Sequence, residues 1–253
     1  MNKQLLYSLC LGSLLLAGCS KEKSPFITAG EYETGTVIQS APIQLFTKDG
    51  LVDNPQVVDK FLRQKFWTTV AFSRTDEPYS GSAFKLRIEA DKRAFLISNN
   101  GTHSDTIKAF LTSQTDRYLV LSYADSVTGR GAVSKPIPGQ QSPCELLYTK
   151  IKSEYAGVHF YPVAYASGTD MYVPRERPIL VISIKNGQLF LPQFSWIIAS
   201  THVINSGPYP LTNRCGMAQN NDRNVFNSAV ISQLTVGDTI VVQERGVPFQ
   251  KSR

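Results

Sequence analysis

Ile179-Leu180-Val181-Ile182-Ser183-Ile184-Lys185-Asn186-Gly187-Gln188-Leu189-Phe190 carries the sharpest local signal in the chain. Two apolar runs, the first rich in β-branched residues, flank Asn-Gly. A two-residue type I′ turn needs positive φ at both central positions, which asparagine and glycine tolerate best. The stretch therefore predicts a tight antiparallel hairpin. Upstream, Phe84-Lys85-Leu86-Arg87-Ile88-Glu89 alternates apolar and charged residues, the period of a half-buried strand. It predicts a second hairpin with Ala94 to Ile97 across Asp91-Lys92. Thr106 to Thr112 and Arg117 to Tyr123 form the next expected pair. Thr34 to Ile38, Ile43 to Phe46, Phe66 to Ser73, Val158 to Ala166, Phe194 to Ser200, Val230 to Leu234 and Thr239 to Glu244 also read as extended.

One segment breaks this rhythm. Asn54-Pro55 pairs a good N-cap with proline at the first helical position, and Val57, Val58, Phe61 and Leu62 then share one helical face. The fold class expected is mainly β, an antiparallel barrel or sandwich, with one short N-terminal helix near residues 55–65 and no other sizeable helix. Two long polar stretches, Asp125 to Pro143 and Asn205 to Asn224, read as loops, and loops of that length inside a domain are often functional. Arg130, Tyr209 and Arg214 are the loop residues chosen as possible ligand contacts.

The N-terminus carries a different message. Met1-Asn2-Lys3-Gln4 is followed by a nearly unbroken apolar run, Leu5 to Leu16, and then Ala17-Gly18-Cys19. A basic start, a short apolar core and small residues before a cut describe an export signal, and the run is too short for a permanent bilayer span. Leu16-Ala17-Gly18-Cys19 closely resembles the lipobox of bacterial lipoproteins. The resemblance implies lipidation of Cys19, palmitate included, and removal of residues 1–18. Residues 19–30 then form a polar tether and residues 31–253 a single β-rich domain, with a split in the loop 125–143 as the alternative. Ser20 stands where an aspartate resembles an inner-membrane retention signal, which points to the outer membrane and leaves its face open.

Cys10 leaves with the signal and Cys19 carries lipid, so Cys144 and Cys215 remain. Two thiols in an oxidising compartment usually pair. A bridge closing a loop of about 70 residues stabilises by about 4 kcal/mol in the chain-entropy model. Pairing of Cys144 with Cys215 would pin the two polar stretches side by side.

The formal net charge is +6. Its basic residues are scattered among acids as on an ordinary solvated surface, so no nucleic-acid partner is expected. No Gly-x-Ser-x-Gly elbow, Walker loop or Gly-x-Gly-x-x-Gly is present, and His103, His159 and His202 lack ligand spacing with the cysteines. No catalytic residue, metal or cofactor is assigned, and the reading leans away from an enzyme. The aromatic stretch Gly157 to Tyr165 suits a buried strand as well as a ligand pocket. The expected function is a lipid-anchored cell-envelope protein, held to the membrane by its N-terminal lipid, that binds a small or polymeric ligand. The alternative is an accessory or structural subunit bound to another envelope protein, with an envelope hydrolase third. A binding module predicts an apolar cleft near the polar stretches. A subunit predicts an exposed apolar patch or an unprotected strand edge.

Overall fold

The computed structural model describes residues 29–252 apart from 64–69, 71, 100–103, 126, 129–132, 135–141, 155–157, 164–170 and 207–208. The signal segment and Cys19, most of the tether, and Arg130 lie outside the described residues. The elements in chain order are β1 (Gly30–Thr34), β2 (Val37–Ile38), β3 (Gln44–Thr47), β4 (Gly50–Leu51), helix α1 (Pro55–Leu62), β5 (Glu77–Pro78), β6 (Ala83–Ile88), β7 (Arg93–Asn99), β8 (Ser104–Gln114) and β9 (Tyr118–Tyr123). They continue with β10 (Val127–Thr128), β11 (Val133–Ser134), α2 (Pro143–Ile151), β12 (Val158–Val163), β13 (Met171–Glu176), β14 (Ile179–Lys185), β15 (Gln188–Ser206), β16 (Tyr209–Asp222), a 3-10 helix (Ser228–Gln233) and β17 (Asp238–Lys251).

Eight strands close into an antiparallel barrel in the order β1-β6-β7-β8-β9-β14-β15-β17, with β17 returning to β1. The Asn186-Gly187 hairpin is its β14–β15 corner. Lys185 pairs with Gln188, and Asn186 and Gly187 take φ of 50° and 75° as the turn demands. An eight-stranded barrel is just wide enough for side chains to fill. Leu86, Ile88, Leu96, Leu119, Leu121, Leu180, Ile182, Leu191, Val247 and Phe249 fill it, as the alternation along β6 predicts.

β15 and β17 are far longer than the barrel needs, with 19 and 14 residues. They stay paired from Phe190 opposite Pro248 to Ser200 opposite Asp238, and so carry a second sheet, β4-β3-β17-β15-β16, out of the barrel. One face of that sheet packs Ile197, Val241 and Leu45 against Val58 of α1. The other packs Phe194, Trp196, Ile198, Ile240 and Val242 against Leu147 and Ile151 of α2 and Val230 of the 3-10 helix. Burial on both faces is why Trp196-Ile197-Ile198 and Ile240-Val241-Val242 read as unbroken apolar runs rather than alternations. β10, β11 and β12 pair with β13 in a small separate sheet, and β2 pairs with β5.

Several sequence expectations are corrected. α2 is a second helix, capped where the end of a loop was expected. Ser142 and Glu145 form a reciprocal capping box ahead of it, with proline in the first turn. Val230 to Leu234 is not a strand. Asn227 caps a 3-10 helix there, and its valine faces the sheet. Asn205 to Asn224 is not a loop, because β16 occupies most of it and pairs with β15 from Phe194 to Ser206. An edge strand needs few apolar residues, since only part of its surface is covered, so its polar composition hid it. Of the strand expected over Phe66 to Ser73, the described residues 70, 72 and 73 are not in a strand. The backbone of Ser73 is held instead by the buried Gln243, whose Oε1 accepts the Ser73 N–H at 3.0 Å and whose Nε2 donates to the Ser73 carbonyl.

Candidate functional site

The region richest in unusual features is the outer end of the second sheet, where α2, the 3-10 helix and β16 meet. Its chemistry starts at Cys144 and Cys215. Their sulfurs stand 2.16 Å apart with Cα atoms 6.0 Å apart, a disulfide that ties the first turn of α2 to β16. Cys144 is fully buried, and its N–H also points at the Cys215 sulfur at 3.2 Å. The expected pairing is present, but it pins a helix to a strand rather than two loops together.

Beyond the disulfide, α2 is seated by aromatic and ionic contacts. Tyr148 packs on Trp196 with ring centroids 5.6 Å apart, and Lys152 pairs with Asp222 at the end of β16 while its ammonium sits 5.3 Å from the Tyr148 ring. A cleft of about 300 Å³ opens between α2 and the turn before β17, lined by Pro143, Leu146, Leu147, Lys150, Gln233, Thr235 and Asp238. Its polar groups are already engaged. Lys150 bonds Gln233, and Asp238 accepts both the N–H and the hydroxyl of Thr235 at 2.8 Å. Two large apolar side chains stand in solvent beside it, Leu146 at 45% and Val236 at 70% exposure.

Among the described residues, β16 is the terminal strand of its sheet, hydrogen-bonded to β15 alone. At 14 residues it is well over twice the usual strand length, so it offers a long row of unpaired backbone groups. The opposite edge, β4, has two residues. Past Ser200 the partner β17 ends, so Thr201 to Ser206 with Tyr209 to Arg214 form a two-stranded ribbon. Arg214 lies there, exposed and opposite Thr201, and Tyr209 lies opposite Ser206. The side chain of Tyr209 and the whole of Arg130 lie outside the described residues.

A second cleft, about 430 Å³, lies on the α1 face between Ser40, Ala41, Pro42, Ile43, Pro55, Val58 and Arg74. Arg74, the one cation among the described lining residues, is paired with Asp59. A polar cluster at the junction of barrel and second sheet is the closest approach to a reactive arrangement. Glu244 accepts the Phe226 N–H at 2.7 Å while Arg117 donates to the Phe226 carbonyl at 3.2 Å, and the Lys185 ammonium donates to the Glu244 carbonyl at 3.0 Å. Loss of solvent around its ammonium holds Lys185 below the ordinary lysine value, with Glu244 pulling the other way. Burial, then the hydrogen bond to Glu154 at 3.0 Å, raises Tyr118 above the ordinary phenol value. Glu244 and Arg117 thus clamp the backbone of Phe226, and neither of them lines either cleft. Among the described residues no three His, Cys, Asp or Glu side chains converge as a metal site would require.

Sequence reasoning missed α2 and the 3-10 helix, and with them Leu146, Leu147, Lys150 and Gln233. The signal for α2 was Ser142-Pro143-Cys144-Glu145, a capping box with proline at its first position, placed directly after a long polar stretch. No family model matches the chain, and no curated protein or solved structure is significantly similar to it.

Proposed function

We propose that this protein is a non-catalytic, lipid-anchored component of the bacterial cell envelope, held at the outer membrane by acyl chains on Cys19. Its working surface is the disulfide-braced edge of the second sheet, where a strand of another envelope protein adds to β16. The observation that carries this reading is the 14-residue edge strand itself. An unpaired edge of that length recognises an extended chain through its backbone groups, and side-chain contacts supply specificity. Leu146 and Val236, exposed nearby, add the apolar contact that such an interface needs at its centre. The disulfide supports the role by fixing β16 to α2, so that the edge meets its partner preformed.

Capture of a small ligand is the second reading, favoured by the 300 Å³ cleft beside Cys144. That volume is at the bottom of the range for ligand pockets, and its polar groups are satisfied internally. Strand addition is therefore preferred.

The test places a photo-crosslinking side chain at exposed Gln219 of β16, and in a second strain at exposed Val57 of α1, in the full chain expressed with its own signal in a Gram-negative host. Strand addition gives a discrete heavier adduct from position 219 and none from 57. The same adducts from both positions, or none from 219, rule out the edge as the working surface. Intact mass of the purified protein checks the anchor separately: it should begin at Cys19 and carry acyl mass.

A further inference from the structure

The outer face of the barrel wall beside the tether sets an exposed aromatic among cations. Gly30, the first residue of β1, stands in one row with Ile88 of β6, Ala94 of β7 and Ala109 of β8. Ile88, Ala94 and Ala109 point into the barrel, so their chain neighbours Arg87, Arg93, Phe95, Lys108 and Phe110 point out. Arg87, Phe95 and Lys108 share a row across three strands, and the Arg87 guanidinium lies 4.4 Å over the Phe95 ring. In the next row Arg93 stands beside Phe110, which is 48% exposed. Phe110 is the one aromatic among the large exposed apolar side chains described.

Charge on this wall is unevenly satisfied. Arg87 and Arg93 pair with Glu89, Arg93 also with Asp91, and Lys85 with Glu33. Exposed Lys108, and Lys92 at the β6–β7 turn, have no carboxylate within ion-pair distance among the described residues. Cations with nothing to neutralise them, flanking an exposed phenylalanine, suit a layer of lipid phosphates over acyl chains.

Position in the chain selects this wall. Of the other exposed large apolar side chains, Leu51, Leu146 and Val236 lie at the far end of β17, around Asp238 and Ile240, Val57 lies on α1, and Val37 is a lone valine in the two-residue strand β2. The 14 residues of β17 span roughly 45 Å at about 3.3 Å per residue. The tether from Cys19 to Gly30 reaches at most about 40 Å when fully drawn out. The wall at β6, β7 and β8 begins one strand away from Gly30 and is reached by a slack tether.

We infer that the outer wall of β6, β7 and β8 docks on the anionic surface of the same bilayer that holds Cys19. The ammonium groups of Lys92 and Lys108 meet lipid phosphates, and Phe110 enters the headgroup layer. Docking there holds β16 and the Leu146–Val236 patch away from the bilayer, free for a partner. This inference rests on the lipid-anchor reading.

The experiment uses the full chain, made with its native signal, carrying Thr106→Cys on the docking wall or Val236→Cys at the far end. Each thiol is labelled with an environment-sensitive fluorophore, and the acylated protein is inserted into vesicles containing a headgroup nitroxide lipid. In vesicles with about one-third phosphatidylglycerol, quenching at 106 should exceed that at 236 about fivefold, falling at least about twofold in pure phosphatidylcholine or with Lys92→Glu and Lys108→Glu together. Equal quenching at the two positions, or quenching at 106 that ignores both changes, overturns the inference while leaving the anchor intact. Protein that lacks acyl mass overturns the anchor reading, and the inference with it.

Discussion

Gly237 sits in the turn before β17 at φ +94°, and a Cβ built there would stand 2.0 Å from the Thr201 carbonyl oxygen. Both the left-handed backbone and the close approach require glycine. Gly237→Ala should destabilise the fold by about 3 kcal/mol, read as a shift in denaturant midpoint at unchanged slope. Arg245 makes a second residue-scale prediction. It is 4% exposed and its Nη1 bonds Glu77 at 2.7 Å. Hydrogen bonding from Ser73, then the Arg245 guanidinium, holds the Glu77 carboxyl below its ordinary value. A depressed carboxylate contributes stability that is present above its unfolded value, near 4.5, and lost as pH falls through the lower folded value. Glu77→Gln should therefore cost on the order of 1 kcal/mol at neutral pH, discounted for the exposure of Glu77, and nearly nothing once both forms are protonated. A pH-independent difference in melting would refute the linkage. Gln243 lies on the same strand, and its hydrogen bonds to Ser73 and Ala41 avoid the cost of burying its amide unsatisfied.

At the scale of elements, α2 owes its start to Ser142 and Glu145 and its position to Cys144. Ser142→Ala removes the side-chain acceptor of the Glu145 N–H and half of the capping box. The expected loss is about 1 kcal/mol. Replacing Cys144 and Cys215 together by serine releases a 71-residue closure and should lower stability by about 4 kcal/mol. Hydrogen exchange would then separate two roles for the bridge. Faster exchange confined to α2 and β16 means that the disulfide braces the edge locally. Faster exchange throughout the barrel means that it stabilises the whole chain through the unfolded state.

At the scale of the molecule, β15 and β17 run without a break from the barrel into the second sheet, so the two packing regions share their central strands. Leu191→Ala in the barrel and Ile197→Ala in the second sheet each remove a fully buried side chain. Each should cost about 3 kcal/mol and shift one common unfolding transition. Two separable transitions would mean that the shared strands do not couple the regions. The same continuity sets the proposed geometry of function, with a membrane-facing wall at the Lys251 end of β17 and a partner-facing edge near Asp238.

By itself the sequence determined the mainly β class, the Asn186-Gly187 hairpin, the β6–β7 and β8–β9 pairs, helix α1 and the pairing of Cys144 with Cys215. Each rests on local information: turn residues that need positive φ, period-2 alternation, an N-cap with proline, or thiols left over once others are assigned. The address at Cys19 is an expectation of the same local kind. Tertiary structure decided what depends on neighbours far along the chain. Ser200 meets both Cys215 and Asp238, and only that meeting turns a polar stretch into the edge strand β16. Val230 became helical because a capped turn could deliver it to the sheet face that Trp196 and Ile240 already defined. Closure of the barrel depended on β17 returning to β1 across more than two hundred residues, a pairing that no local pattern encodes because backbone hydrogen bonds carry no sequence label.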